Sequence, residues 1–109
     1  MVSDGWKTPD TYNNHFDMPG LFPAVYLFAI FDPDRFDKAL VAYVGMSKQV
    51  SARWAGHNIL PELRESQYWP QRWFKRVKPA QLRVEEARLI QAFDPPWNII
   101  GRRRGVMVQ

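Results

Sequence analysis

Pro23 opens an apolar run, AVYLFAIF at Ala24–Phe31, whose alternating positions are apolar on both sides. The run is rich in β-branched and aromatic residues and has the length of a strand. A strand apolar on both faces has to be covered on both, so this one is expected at the centre of a sheet, with packing above and below it. A second run, LVAYVG at Leu40–Gly45, follows across the polar segment DPDRFDKA, in which Asp32-Pro33-Asp34 is good turn chemistry. Two strands joined by a polar loop predict an antiparallel hairpin. The chain has 109 residues, 46% of them hydrophobic and five of them tryptophan, which suits one packed domain rather than a disordered tail.

Gly45 ends the second strand, and Ser47 is placed to cap a helix running to about Gly56 or Asn58. Pro61 and Pro70 break up the next stretch, which has room for a short helix at PELRES. RWFKRVK at Arg72–Lys78 alternates enough to form a third strand. Pro79 suits the first turn of a last helix reaching about Asp94, where Pro95-Pro96 stops it. Residues 1–22 are polar and rich in turn formers, and are expected to form an irregular arm with room for one short helix. Residues 23–100 form the domain and 101–109 a basic tail. The expected class is α+β: a single small domain with a three-stranded antiparallel sheet flanked by helices.

Two helices carry polar groups where core residues belong. The apolar stripe of the last helix is Leu82, Leu89, Ile90 and Phe93; at about 100° per residue Glu86 falls inside it, and Glu85 lies off it. A charged, unpaired carboxylate on a packing face costs on the order of several kcal/mol. Either a bound cation or an ion pair with an arginine such as Arg53 would offset that cost. In the first helix Val50 and Trp54 mark the packing side, and Arg53 and His57, four residues apart, share it. Tyr26 and Tyr43 lie on the two strands of the hairpin. The simplest arrangement brings Tyr26, Tyr43, Arg53, His57 and Glu86 together at one edge of the sheet. Each residue also has an ordinary explanation, as core tyrosine, solvated arginine or incidental histidine; the constellation is what carries weight.

Composition narrows the chemistry. The absence of cysteine excludes disulfides, thiolate zinc sites and cysteine nucleophiles. With His15 and His57 the only histidines, any metal has to be held mainly by oxygen, which points to magnesium, manganese or calcium. The net charge of +4 is consistent with a polyanionic partner. No basic-then-apolar leader opens the chain and no run is long enough to span a bilayer, so a soluble cytoplasmic protein with no membrane partner is expected.

From Pro23 to Ile100 the chain resembles the GIY-YIG nuclease domain. Val25-Tyr26, within PAVYLF, stands at the first motif and Tyr43-Val44-Gly45 at the second. Arg53 follows Tyr43 by ten residues, as the family's arginine does; Glu86 heads EARLI, similar to the run bearing the family's metal-binding glutamate; and Asn98 closes PPWN. Ala24 replaces the usual glycine of the first motif, and Met46 stands where many members have lysine, a place Lys48 would fill. His57 is like the histidine of restriction-enzyme and structure-specific members.

The resemblance implies hydrolysis of a DNA phosphodiester by water, leaving 5′-phosphate and 3′-hydroxyl ends, with one divalent ion, Mg2+ or Mn2+, on Glu86. Arg53 would hold the scissile phosphate, and Asn98 would orient Glu86 or its neighbourhood. Tyr26 would contact the water and relay its proton to His57, while Tyr43 positions phosphate or water; the two tyrosine roles are interchangeable at this stage. Candidate nucleic-acid contacts are Lys48, Arg72, Lys75, Arg76 and the basic knot Arg102, Arg103 and Arg104, with Tyr68 and Trp69 able to stack on unpaired bases. With few elements to read bases, binding should rest on phosphates and fall steeply with salt. Specificity would then come from a homodimer or a partner subunit. Two other readings stay open: a non-catalytic nucleic-acid-binding module of the same fold, and a nuclease acting on RNA.

Overall fold

The structure is a computed structural model that describes residues 5–10, 17–32, 35–57, 59–65 and 70–98. Strand β1 (Ala24–Asp32) pairs with β2 (Arg35–Ser47) as an antiparallel hairpin. Two short helices follow, α1 (Val50–Ala55) and α2 (Ile59–Glu65); then come β3 (Gln71–Arg76), a 3-10 turn at Pro79–Gln81, and α3 (Leu82–Phe93). β3 pairs antiparallel with the other side of β1, giving the sheet order β2-β1-β3. This is the α+β class expected, with the doubly apolar strand at the centre. Every residue from Ala24 to Ile30 is at most 4% exposed.

The alternation of β1 divides the core into two layers. Ala24, Tyr26, Phe28 and Ile30 face α1 and α2 and pack with Val50, Trp54, Leu60 and Leu63. Val25, Leu27 and Ala29 face α3 and pack with Val44, Trp73, Leu82 and Leu89. Burying one such aliphatic or aromatic side chain contributes about 1.5–3 kcal/mol, so a sheet covered on both sides lets a chain this short build a real core. Among the described residues no helix is long and apolar enough to cross a membrane.

Several boundaries differ from the sequence-based expectation. Ser47 does not cap α1: it is the last residue of β2, paired with Ala24, and its Oγ accepts the Gln49 N–H at 3.0 Å. The strand ladder outcompetes the helix start, and α1 begins two residues later than a Ser47 cap implies. It also ends sooner, so His57 follows the helix rather than riding on it. The last helix opens with a 3-10 turn and closes at Phe93, where Asp94 takes a left-handed conformation (φ 46°) before the two prolines.

The arm is also less peripheral than its composition suggests. Trp6 is 7% exposed within the α3-side core, and Lys7 exchanges two backbone hydrogen bonds of 2.9 Å with Phe74. The arm thus covers part of the free edge of β3, which would otherwise expose unpaired backbone. His15 lies outside the described residues.

Candidate active site

Tyr26 sits opposite Gly45 in the hairpin register, and its ring lies directly over that glycine. A Cβ at Gly45 would stand 2.5 Å from both Cζ and Oη of Tyr26. The glycine of the Tyr-Val-Gly motif therefore makes room for the phenol. Around the ring stand Tyr43 at 6.2 Å, Trp54 at 5.9 Å and His57 at 5.6 Å between centroids, the last two edge-on. Phe28 stacks on Tyr43 and meets His57 edge-on. These contacts hold both phenols in a rigid aromatic wall.

His57 is 3% exposed, and both of its ring nitrogens are engaged. Nδ1 accepts the backbone N–H of Ile59 at 3.1 Å, and Nε2 lies 2.9 Å from the Tyr26 hydroxyl. Burial, helped by the Arg53 charge, pushes the imidazole down to about 4, so it is neutral at pH 7. A neutral ring whose Nδ1 is an acceptor carries its proton on Nε2. His57 therefore donates to Tyr26. The relay in which Tyr26 passes a proton to His57 would need the other tautomer, with Nε2 free to accept.

Both phenols are pushed up, Tyr26 well above its ordinary range. For Tyr26 the causes are burial and then the neighbouring Tyr43, with Arg53 pulling the other way and Glu86 adding to the rise. For Tyr43 burial again leads, with Arg53 opposing and Glu86 adding. The pair thus feels a cation from one helix and an anion from another, while Tyr26, Tyr43 and His57 are in direct ring contact. The cation and the anion do not approach from one side, however. Arg53 is exposed on α1, whereas Glu86 is half-buried on α3, which packs on the opposite face of the sheet.

Burial raises Glu86 as well, with Arg83 one turn earlier opposing. Neither Glu86 nor Arg53 takes part in a salt bridge among the described residues, so the two do not neutralise each other. Glu85, by contrast, is bound to Arg88 at 2.8 Å on the surface.

As a metal ligand Glu86 would act almost alone, because the described residues hold no group of three or more His, Cys, Asp or Glu. A half-buried carboxylate with no ion pair still fits magnesium, which is commonly held by one or two carboxylates together with substrate phosphates and water. It does not fit calcium bound in an all-protein cage.

Asn98 has a different task from the one expected. Its Oδ1 accepts the Val44 N–H at 2.7 Å and its Nδ2 donates to the Val44 carbonyl at 2.7 Å. The side-chain amide thus imitates a neighbouring strand and seals the outer edge of β2 beside Tyr43. Trp97 packs on the α1-side core while Phe93 packs on the α3 side. The chain therefore wraps around the edge of β2 between them.

The candidate nucleic-acid contacts divide. Lys48 is exposed in the turn before α1, Lys75 is half-buried, and Arg76 is exposed with its guanidinium 4.3 Å over the Phe22 ring. Arg72 is not a free cation: its Nε and Nη2 clamp Asp10 at 3.0 and 2.7 Å, and its backbone N–H donates to the same carboxylate. Trp73 and Phe74 are core residues. Arg102, Arg103, Arg104, Tyr68 and Trp69 lie outside the described residues. Sequence reasoning missed Asp10, whose partner is 62 residues away, and Phe28, which reads as ordinary core. It also missed Arg83, whose charge reaches Glu86 although one exposed arginine carries no sequence signal. No protein-family model, curated protein or solved structure matches the chain.

Proposed function

We propose that this chain is a metal-dependent endonuclease of the GIY-YIG kind, hydrolysing phosphodiester bonds of DNA to 5′-phosphate and 3′-hydroxyl ends. The observation that carries the reading is the phenol pair, buried Tyr26 and half-buried Tyr43, acted on by the Arg53 cation and the unpaired Glu86 carboxylate, with Tyr26 hydrogen-bonded to His57. A core tyrosine needs no such company, and Glu86 makes no salt bridge among the described residues.

Arg53 is exposed enough to meet a strand and would hold the scissile phosphate, offsetting charge that builds on it. Tyr26 is the group placed to take a proton from water, because His57 holds its hydroxyl by donating to it and so favours the phenolate. Burial keeps that phenol protonated in the free protein. Arg53 favours its ionisation, and a divalent ion held on Glu86 would add to that effect. Tyr43, against Phe28 and His57, orients water or phosphate beside it. A Mg2+ or Mn2+ ion held on Glu86 would supply Lewis-acid stabilisation of the leaving 3′ oxygen. Asn98 fixes the strand that carries Tyr43. Lys48 and Arg76 remain as phosphate contacts of the duplex, and a nucleic-acid substrate suits a cytoplasmic enzyme.

Magnesium-dependent nicking of supercoiled plasmid tests this. Glu86→Ala and Arg53→Ala are each expected to lower the rate by at least about 10²-fold, with circular dichroism unchanged. Cutting that survives either substitution, or proceeds equally in EDTA, overturns the reading. Duplex DNA, branched DNA and RNA assayed side by side decide the substrate.

A further inference from the structure

Beside His57, a cavity of about 360 Å³ opens between α1, α2 and β3. Its walls include Ser51, Trp54, His57, Leu60, Arg64 and Arg72. Two features of these walls are unexplained by the fold. The first is the indole of Trp54: the residue is 6% exposed, yet its buried Nε1–H has no hydrogen-bond partner. A buried donor left without an acceptor is unfavourable, and such groups in folded proteins are rare. The second is the pair of guanidinium groups. Asp10 clamps Arg72 through Nε and Nη2, which leaves the Nη1 amino group, and holds the guanidinium 5.4 Å over the Trp54 ring. Arg64 is exposed at the end of α2 and close enough for its charge to act on Asp10, but it forms no salt bridge among the described residues. One carboxylate thus faces two arginines, which leaves positive charge at a cavity whose wall includes Trp54.

We propose that this cavity is a second phosphate subsite, holding a backbone phosphate of the nucleic-acid strand that neighbours the phosphate at Arg53. The inference rests on the nuclease reading, because His57 lines the cavity and also binds Tyr26, so a strand seated on the reaction site has its next phosphates within reach of this wall. Arg64 supplies the charge, Arg72 is pre-set by Asp10 to present its remaining N–H groups, and the hydroxyl of Ser51 adds a further donor. The apolar patch of Leu60 suits the sugar between phosphates.

The test uses the full chain carrying Glu86→Gln, which binds without cutting. Indole N–H signals are followed by ¹H–¹⁵N correlation NMR, with Trp54 identified by Trp54→Phe. A short DNA duplex and, separately, inorganic phosphate are each expected to move the Trp54 signal. Arg64→Gln is expected to weaken duplex binding by about threefold to tenfold at 0.1 M salt and to lower the slope of log affinity against log salt by about 0.9, with Arg64→Lys restoring the slope. If the duplex binds while the Trp54 signal stays still and Arg64→Gln binds within twofold of its parent, the subsite is overturned and the nuclease reading stands. If phosphate moves the signal but no nucleic acid binds, the cavity is a small-anion site and the proposal fails. Loss of cutting in Glu86→Ala is measured on the otherwise native chain, so the two readings fail separately.

Discussion

At the scale of one residue, Glu86 carries a stability cost that the proposed nuclease site would account for. Burial raises its carboxyl, so ionising it at neutral pH costs stability in the free protein. A group raised in this way is stabilising below its unfolded value and loses that contribution as pH rises through its folded value. Glu86→Gln should therefore raise the melting temperature at pH 7 while abolishing cutting; a lower melting temperature would show that the carboxylate is held by favourable contacts. His57 has the opposite sign. Its folded value is about 4 against an ordinary 6.5, so the unfolded chain takes up the proton first. Stability should fall between about pH 6.5 and pH 4 by on the order of 3 kcal/mol, and His57→Gln should flatten that slope in urea titrations. The same depressed value removes His57 from the pH dependence of rate. The rate of cutting is expected to rise with pH between 6 and 9 in both wild type and His57→Ala, because a phenol titrates and the imidazole does not. A rising limb lost in His57→Ala would restore the relay to the histidine.

At the scale of elements, the site depends on how β2 ends. Tyr43 and Gly45 sit on this strand, one contributing a phenol and the other clearing space for Tyr26. Among the described residues the outer edge of β2 has no strand neighbour, and Asn98 bonds both backbone groups of Val44 in place of one. Asn98→Ala removes two hydrogen bonds and leaves the strand edge to water, at a cost of about 1–3 kcal/mol. Cutting should fall more than folding does, because Tyr43 is the adjacent residue. Denaturant melts read beside single-turnover rates check this, and a rate unchanged at full folding would make Asn98 purely structural. The hairpin and α3 were legible in the sequence because their periodicities are long and strong. The start of α1 was not, because Ser47 suits a helix cap as well as a strand end, and only its pairing with Ala24 decides between them.

For the whole molecule, the described part of the N-terminal arm is built into the domain. Trp6 closes the α3-side core, Lys7 pairs with Phe74, and Asp10 grips Arg72. Deleting residues 1–10 is therefore expected to destabilise the domain by several kcal/mol, since it removes a buried tryptophan worth about 3–5 kcal/mol in truncation and leaves Arg72 unpaired. Thermal melts of the shortened chain measure it, and an unchanged midpoint would return the arm to the periphery. The sequence by itself determined the sheet and its doubly covered central strand, because these follow from local periodicity and residue chemistry; Arg53, which periodicity put on the packing side of α1, is exposed, because that helix is too short for its period to hold. Only the tertiary structure decided which nitrogen of His57 carries the proton, that Asn98 binds Val44 and that Arg72 belongs to Asp10. Those facts depend on partners distant in the chain or on the backbone geometry of a turn, and no pattern of neighbouring residues encodes them.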